Sequence, residues 1–379
     1  MKVAYFNGTM KREHDGVTRV LYRLIDEINR TNEIEPLFIS AMVPPRDEQP
    51  VEMFHVPSFV FPCNSEYRIA LPTRLFFEEK LNEFNPNLIH INSPCPLGAA
   101  AVKYGRVKNI PVVATYHTHF PSYAKYYNVK ALELLGWDYL RNLYNKCQTV
   151  YVPSLPVLKE LKDHGFETIE FLPHGVNTEI FNPVAKSDNW KRNLGIENKF
   201  ALLFAGRLVW EKDLITLAET YKLLTAQRND IKFVLAGDGP AKEELKSLMP
   251  GALFLGQQPV KDLAVSFASS DVFVFPSTTE TFGNVTIEAM ASGLPPVCVK
   301  EGGAYGMIKN GLTGYIARPR NPIDITDKIN ILLNNKTLRE NISQNALQYA
   351  CTQSWENNFK RLFLSYESVI RNYNIKSAA

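Results

Sequence analysis

Along most of this 379-residue chain, short unbroken apolar runs alternate with stretches in which apolar residues return every three or four positions. The runs Val3–Phe6, Leu37–Ser40, Leu88–Ile91, Val112–Tyr116, Val150–Val152 and Glu170–Leu172 read as strands. Between them, Val17–Ile28 places Val17, Val20, Leu21, Leu24, Ile25 and Ile28 on one helical face. Leu155–Leu161 reads as another helix, with Ser154 as its expected N-cap and Gly165 as its stop. A second series begins at Phe200–Ala205 and continues through Lys232–Ala236, Ala252–Leu255, Val272–Phe275, Val297–Val299 and Gly314–Ile316. Its helices fit at Leu214–Leu224, Ala241–Leu248, Val260–Ala268 and Val285–Ala291, and after Ile323 the pattern is helical to the end, including Trp355–Ile370. Strands without alternation are covered on both faces, which predicts parallel sheets with helices on each side. The polar stretch Asn182–Asn198 reads as a linker. The expected architecture is α/β: two doubly wound, Rossmann-like domains facing a cleft, residues 1–185 and 186–354, with ligands at the carboxyl ends of the strands.

Composition narrows the class. Hydrophobic residues make up 45% and charged residues 21% of the chain, as in a soluble globular protein. The five cysteines are scattered and never form a CxxC pair, so neither a zinc knuckle nor a disulfide framework is expected, and a reducing, cytoplasmic setting is. Met1–Phe6 lacks the apolar core of a signal peptide, and no stretch approaches the roughly 20 apolar residues of a membrane span. A net charge of +3 is too small to suggest a nucleic-acid partner. The charge is unevenly spread, because the window Ala101–Val150 alone carries seven basic residues against two acidic ones. Tyr104, Phe120, Tyr123, Tyr126, Tyr127, Leu134, Leu135 and Trp137 share that window with Lys125 and the other cations. Cations and aromatics together suit an anionic membrane surface; they equally describe a solvated basic face over core aromatics.

The segment from Glu280 to Gly293 is the most informative chemically. It follows the run Val272–Phe275, and Gly283-Asn284 suits a strand-to-helix turn, with Gly293 at the helix end. Glu280 then falls in the turn and Glu288 about one helical turn in, with a helix start between them that offers backbone N–H groups to an anion such as a diphosphate. Ionised carboxylates accept hydrogen bonds from sugar hydroxyls; two solvated glutamates near a helix start would show the same spacing. Arg207 and Lys212, directly after Phe200–Ala205, could neutralise charge on a leaving diphosphate, or be ordinary surface cations. Gly16, opening the first helix after Asp15, would let backbone approach a phosphate. His117 and His119 permit a metal pair, which opens a metal-dependent hydrolase as a rival class, although only His164 and His174 follow.

The string from Pro276 to Gly293 closely resembles the E-x7-E signature of the group 1 (family four) retaining glycosyltransferases of the GT-B fold. Gly206–Lys212, Gly237-Asp238-Gly239-Pro240, Gly302-Gly303, Asp15-Gly16-Val17 and Pro173–Asn177 fall in that family's order, so the resemblance spans nearly the whole chain. Tyr116–Pro121 is similar to members that transfer mannose, glucose or sulfoquinovose to lipid-type acceptors. The resemblance implies that Glu280 contacts the hydroxyls of the donor sugar and Glu288 the ribose, that Arg207, Lys212 and Gly16 hold the diphosphate, and that His117 stands beside the transferred sugar. Phe282, Gly283 and Asn284 would surround sugar and phosphate, and the last helix, about 355–379, would return to the N-terminal domain. The implied partners are a nucleotide-sugar donor and a lipid or saccharide acceptor. With no Asp-x-Asp pair in the chain, neither a metal nor another cofactor is expected. Three departures stand out: Gly302-Gly303-Ala304-Tyr305-Gly306 lacks a glutamate that many members carry, Asp213 stands where glycine is common, and Pro296 replaces a usual valine, which reads as a strand-edge feature. A non-catalytic nucleotide-sugar-binding subunit on the same fold is the remaining alternative.

Overall fold

The computed structural model describes residues 1–11, 16–61, 64–71, 77–121 and 130–378. Asp15, Cys63, Tyr123, Lys125, Tyr126 and Tyr127 lie outside the described residues. The chain divides into two units, one running to Pro173 and joined by the terminal helix Trp355–Ala378, the other spanning His174–Ser354.

In chain order the strands of the first unit are β1 (Lys2–Asn7), β2 (Glu35–Ser40), β3 (Met53–His55), β4 (Ser58–Phe61), β5 (Asn64–Ala70), β6 (Leu88–Ile91), β7 (Val112–Thr115), β8 (Thr149–Val152) and β9 (Ile169–Phe171). Seven of them form a parallel sheet in the order β3-β2-β1-β6-β7-β8-β9, while β4 and β5 pair separately and antiparallel. Its helices are α1 (Gly16–Thr31), α2 (Glu78–Phe84), α3 (Pro96–Lys108), α4 (Lys130–Tyr144) and α5 (Leu155–Asp163). Successive residues of β1 serve opposite cores: Ala4 and Phe6 pack with Leu97 and Ala101 of α3, and Val3 and Tyr5 with Leu21, Leu24 and Ile25 of α1. Phe359, Leu362, Phe363 and Tyr366 of the terminal helix complete the second of these cores. Inside it, the His90 imidazole lies 2.5 Å from the Tyr366 hydroxyl and 2.8 Å from that of Thr115, and burial lowers its pKa to about 3.

The second unit holds β10 (Phe200–Ala205), β11 (Ile231–Ala236), β12 (Leu253–Gly256), β13 (Val272–Phe275), β14 (Pro296–Val299) and β15 (Tyr315–Ala317). They form a parallel sheet ordered β12-β11-β10-β13-β14-β15, flanked by α6 (Asp188–Asn193), α7 (Leu214–Gln227), α8 (Lys242–Leu248), α9 (Val260–Ser269), α10 (Asn284–Ala291), α11 (Pro322–Asn334) and α12 (Lys336–Cys351). The chain winds outward from β10 through β12 and then crosses to β13 on the other side. The loops after β10 and β13 therefore leave the sheet side by side, at the switch point where doubly wound sheets take their ligands.

Four expectations change. The unit boundary falls at Pro173/His174 rather than 185/186, and Asn182–Asn198 is part of the second unit, not a linker. Ile196 is buried there and Trp190 and Leu194 pack on the core, so a polar average hid a helix, α6. Ser154 stands at the N-cap position of α5, yet its side chain makes no capping hydrogen bond. Pro296 opens β14, an interior strand, at the position where a missing N–H is tolerated. Strands β3–β5 and helices α2–α4 are additions to the pattern read from sequence.

Candidate active site

The loop after β10 is fixed by its neighbours. Gly206 N–H donates to the Ala236 carbonyl, Leu208 N–H to that of Asp238, and Ala241 N–H back to Leu208. At Gly237, with φ +149°, an added Cβ would lie 1.9 Å from the Gly206 carbonyl oxygen, so only glycine lets the two loops meet. The loop ends in a short turn, Trp210–Lys212, followed by Asp213 with φ +56°. That left-handed conformation is the physical reason glycine suits this place, and aspartate tolerates it better than most residues. Asp213 is 3% exposed, and burial raises its pKa against the opposing influence of Thr216 and Arg320.

The loop after β13 carries Glu280 against this frame. The Lys212 ammonium pairs with Glu280 Oε1, and the Ser277 hydroxyl donates to the same oxygen at 3.0 Å. Both charged side chains are largely covered, at 18% and 16% exposure, which strengthens their attraction relative to a surface pair. Thr279 Oγ1 donates to the Glu211 carbonyl at 3.0 Å, tying the two loops together. From the far side, Gly303 N–H donates to the Glu280 carbonyl at 2.6 Å. Gly302 adopts φ +72°, with its Cβ position 2.9 Å from the Thr278 carbonyl oxygen; the Gly302-Gly303 pair is thus a backbone clasp on the Glu280 loop. Ala304 is buried beside it, and no carboxylate follows in the turn Ala304–Met307.

Helix α10 starts from Gly283 with no side-chain cap; Thr286 N–H turns back to the Gly283 carbonyl at 2.9 Å, and the positive end of the helix dipole is available to an anion. Glu288 sits in this helix at 6% exposure. Phe282 is buried against the His174 ring, with centroids 4.9 Å apart. His174 Nδ1 donates to Asn284 Oδ1 at 2.8 Å, and burial lowers its pKa to about 4, so it is neutral at neutral pH. Arg207 is more open, its guanidinium 3.8 Å from Glu211 Oε1. One edge of the second sheet thus gathers Arg207, Lys212, Glu280, Phe282, Gly283, Asn284 and Glu288. Ser277 and His174 are the additions: each occurs within a segment quoted from sequence, but neither had a role there.

Gly16 and His117 belong to the first unit. Gly16 is exposed at the first residue of α1. His117 follows β7 and its Nε2 lies 3.2 Å from Asn92 Oδ1, Asn92 following β6. His119 instead turns to Glu160 of α5, Nε2 to Oε2 at 2.9 Å, and is buried against Trp137. The two imidazoles engage different elements rather than one another. Among the described residues, no group of three or more His, Cys, Asp or Glu side chains is arranged to hold a metal ion.

Comparison with known proteins adds to this geometry. Residues 186–349 match the family model described as glycosyl transferases group 1, and residues 14–180 that of glycosyltransferase family 4. The chain is 30% identical over 322 residues to a GDP-mannose-dependent alpha-mannosyltransferase of Corynebacterium glutamicum, covering 83% of this chain and 76% of that protein. It is 32% identical over 309 residues to a sulfoquinovosyl transferase of Arabidopsis thaliana, covering 78% of this chain and 59% of the other. In three dimensions it is similar to HepE of Anabaena, crystallised with UDP and glucose, at a TM-score of 0.76 and 19% identity, covering 97% of this chain and all of that one.

Proposed function

Since the chain belongs to the group 1 glycosyltransferases, we propose that it moves a hexose from a nucleotide-sugar donor to a lipid-linked or saccharide acceptor, with retention of anomeric configuration. The observation that carries this reading is the covered Glu280 carboxylate, held by Lys212 and Ser277 beside the uncapped start of α10. Glu280 accepts hydrogen bonds from the hydroxyls of the donor sugar, and Glu288 from the ribose. Arg207 and Lys212, with the dipole of α10, balance the diphosphate as it leaves, so no metal is required. His174 holds Asn284 at the helix start. The leaving phosphate oxygen takes the acceptor proton as the new glycosidic bond forms on the same face. GDP-mannose is the first donor to try, on the strength of the corynebacterial relative, and UDP-glucose the second, on that of HepE.

The acceptor reading rests on the Ala101–Val150 window. Lys103, Arg106 and Lys146 are exposed there together with Leu132, Leu134 and Leu135, which suits a lipid-linked acceptor at an anionic surface on the cytoplasmic side. Among the described residues no helix is long and apolar enough to cross a membrane, and attachment would be peripheral.

A nucleotide-release assay across GDP-, UDP- and ADP-sugars tests the proposal. Glu280→Gln is expected to lower turnover by about two to three orders of magnitude with donor affinity little changed. Glu288→Gln is expected to weaken donor binding by roughly tenfold or more. Unchanged rate and unchanged affinity in both would remove the assignment, and a trapped covalent glycosyl-enzyme would overturn the same-face route.

A further inference from the structure

Helices α3 and α4 enclose a groove of about 640 Å³ on the first unit, and the donor chemistry above makes no use of it. Lys103 and Arg106 line it from α3 and Lys146 from just beyond the end of α4, and none of the described residues lining it is acidic. Among the described residues, these three cations make no ion pair. Their neighbours do: Lys108 lies 3.7 Å from Glu78, and Arg141 2.7 Å from Asp138. Gathering three like charges around one hollow costs free energy unless an anion shares it. The walls are mixed, with Val107 and Leu143 contributing apolar surface and Asn142 an exposed amide. On the same helix α4, Leu132, Leu134 and Leu135 are 59%, 67% and 66% exposed, a concentration of apolar surface that a purely solvated helix does not carry.

We infer that this groove seats the phosphodiester headgroup of an anionic phospholipid, with Lys103, Arg106 and Lys146 around the phosphate, Asn142 on a headgroup hydroxyl, and the exposed leucines of α4 in the acyl region. The inference deepens the membrane-surface reading above and rests on it. A mobile cation cloud would attract any anionic surface. A pocket with an amide and apolar walls selects a charged group attached to a hydrocarbon, and so gives the first unit a fixed attachment point apart from the donor site.

Cosedimentation with vesicles of phosphatidylglycerol and phosphatidylcholine in about equal parts, against phosphatidylcholine alone, tests it. The wild type is expected to bind only the anionic vesicles, in a salt-sensitive way. The variant Lys103→Gln/Arg106→Gln/Lys146→Gln is expected to lose roughly a hundredfold in partitioning, since each cation near the surface contributes about fivefold. The control Lys162→Gln/Lys360→Gln/Arg371→Gln removes the same charge from exposed positions elsewhere on the first unit and is expected to stay within about threefold of wild type. Equal losses in the two variants would overturn the groove in favour of diffuse attraction. Undiminished binding by the groove variant, with wild-type binding intact, would overturn the groove and leave the membrane reading standing. Failure of the wild type to bind anionic vesicles would overturn both. Glycerol 1-phosphate binding in solution as tightly as the vesicles would assign the groove to a soluble phosphate and overturn the lipid. Nucleotide release without acceptor should be the same in all three proteins, confirming that the variants are folded.

Discussion

The carboxyl edges of the two sheets are built on one topological plan with opposite chemistry. In the second unit the edge is charged, with Lys212 on Glu280 and Arg207 near Glu211, held in a frame of backbone contacts at Gly237 and Gly302. In the first unit the contacts among the described residues are hydrogen bonds rather than ion pairs: His117 meets the Asn92 amide, and a neutral His90 is enclosed by Thr115 and Tyr366. Three further cations of the first unit, Lys103, Arg106 and Lys146, line a groove between α3 and α4. The proposed donor site draws on the charged edge of the second unit. A charged site needs a stiff frame because its groups must be held in place against their own hydration; a hydrogen-bonded neutral site is stabilised by its burial.

Breaking the frame of the second unit should have the largest effect. Gly237→Ala forces a Cβ onto the Gly206 carbonyl and is expected to cost roughly 4 kcal/mol in a denaturant titration and to abolish donor binding. A loss under 1 kcal/mol would show that the two loops move apart freely.

Acid sharpens the comparison next. Among the described residues, burial lowers the pKa of one imidazole in each unit, His90 to about 3 and His174 to about 4. The unfolded chain takes up these protons near pH 6.5 and the folded chain does not. Stability is therefore complete above pH 6.5 and falls as pH drops toward 4, by about 1.4 kcal/mol per pH unit for each histidine. Thermal unfolding of His174→Gln between pH 7 and 4 should show a stability slope shallower than wild type by about 1.4 kcal/mol per pH unit. An unaltered slope would mean that His174 is protonated in the fold.

The smallest effect is expected at Asp213. Glycine relieves the left-handed backbone and removes a buried carboxylate, which should raise stability by about 1 kcal/mol and leave nucleotide release unchanged. A drop in stability would instead assign the carboxylate a structural role through Thr216.

How much of this was legible depended on where each element gets its stability. Phe200–Ala205 and Val272–Phe275 are strands over the same residues that their apolar runs suggest, because both faces of those strands are buried. Helix α3 gave no such signal. Its buried face is built partly from Gly98, Ala101 and Gly105, and an added Cβ at Gly98 would lie 2.1 Å from the Ser93 carbonyl oxygen. Close backbone approach replaces hydrophobic periodicity there. The same holds at the site. Glu280, Lys212 and Asn284 could be named from their local segments, but the pairing of Lys212 with Glu280 and of His174 with Asn284 joins loops 68 and 110 residues apart. Only the winding of the sheet brings them together, so their partners could not be read from spacing.

The central claim is that the charged edge of the second unit receives the donor. Hydrogen exchange measured by mass spectrometry, with and without GDP-mannose and UDP-glucose, tests it most directly. One of the two donors is expected to slow exchange across residues 206–213 and 277–288, and to do so far less in Glu288→Gln. Protection confined to the first unit, with 206–213 and 277–288 unchanged at saturating donor, would contradict the account.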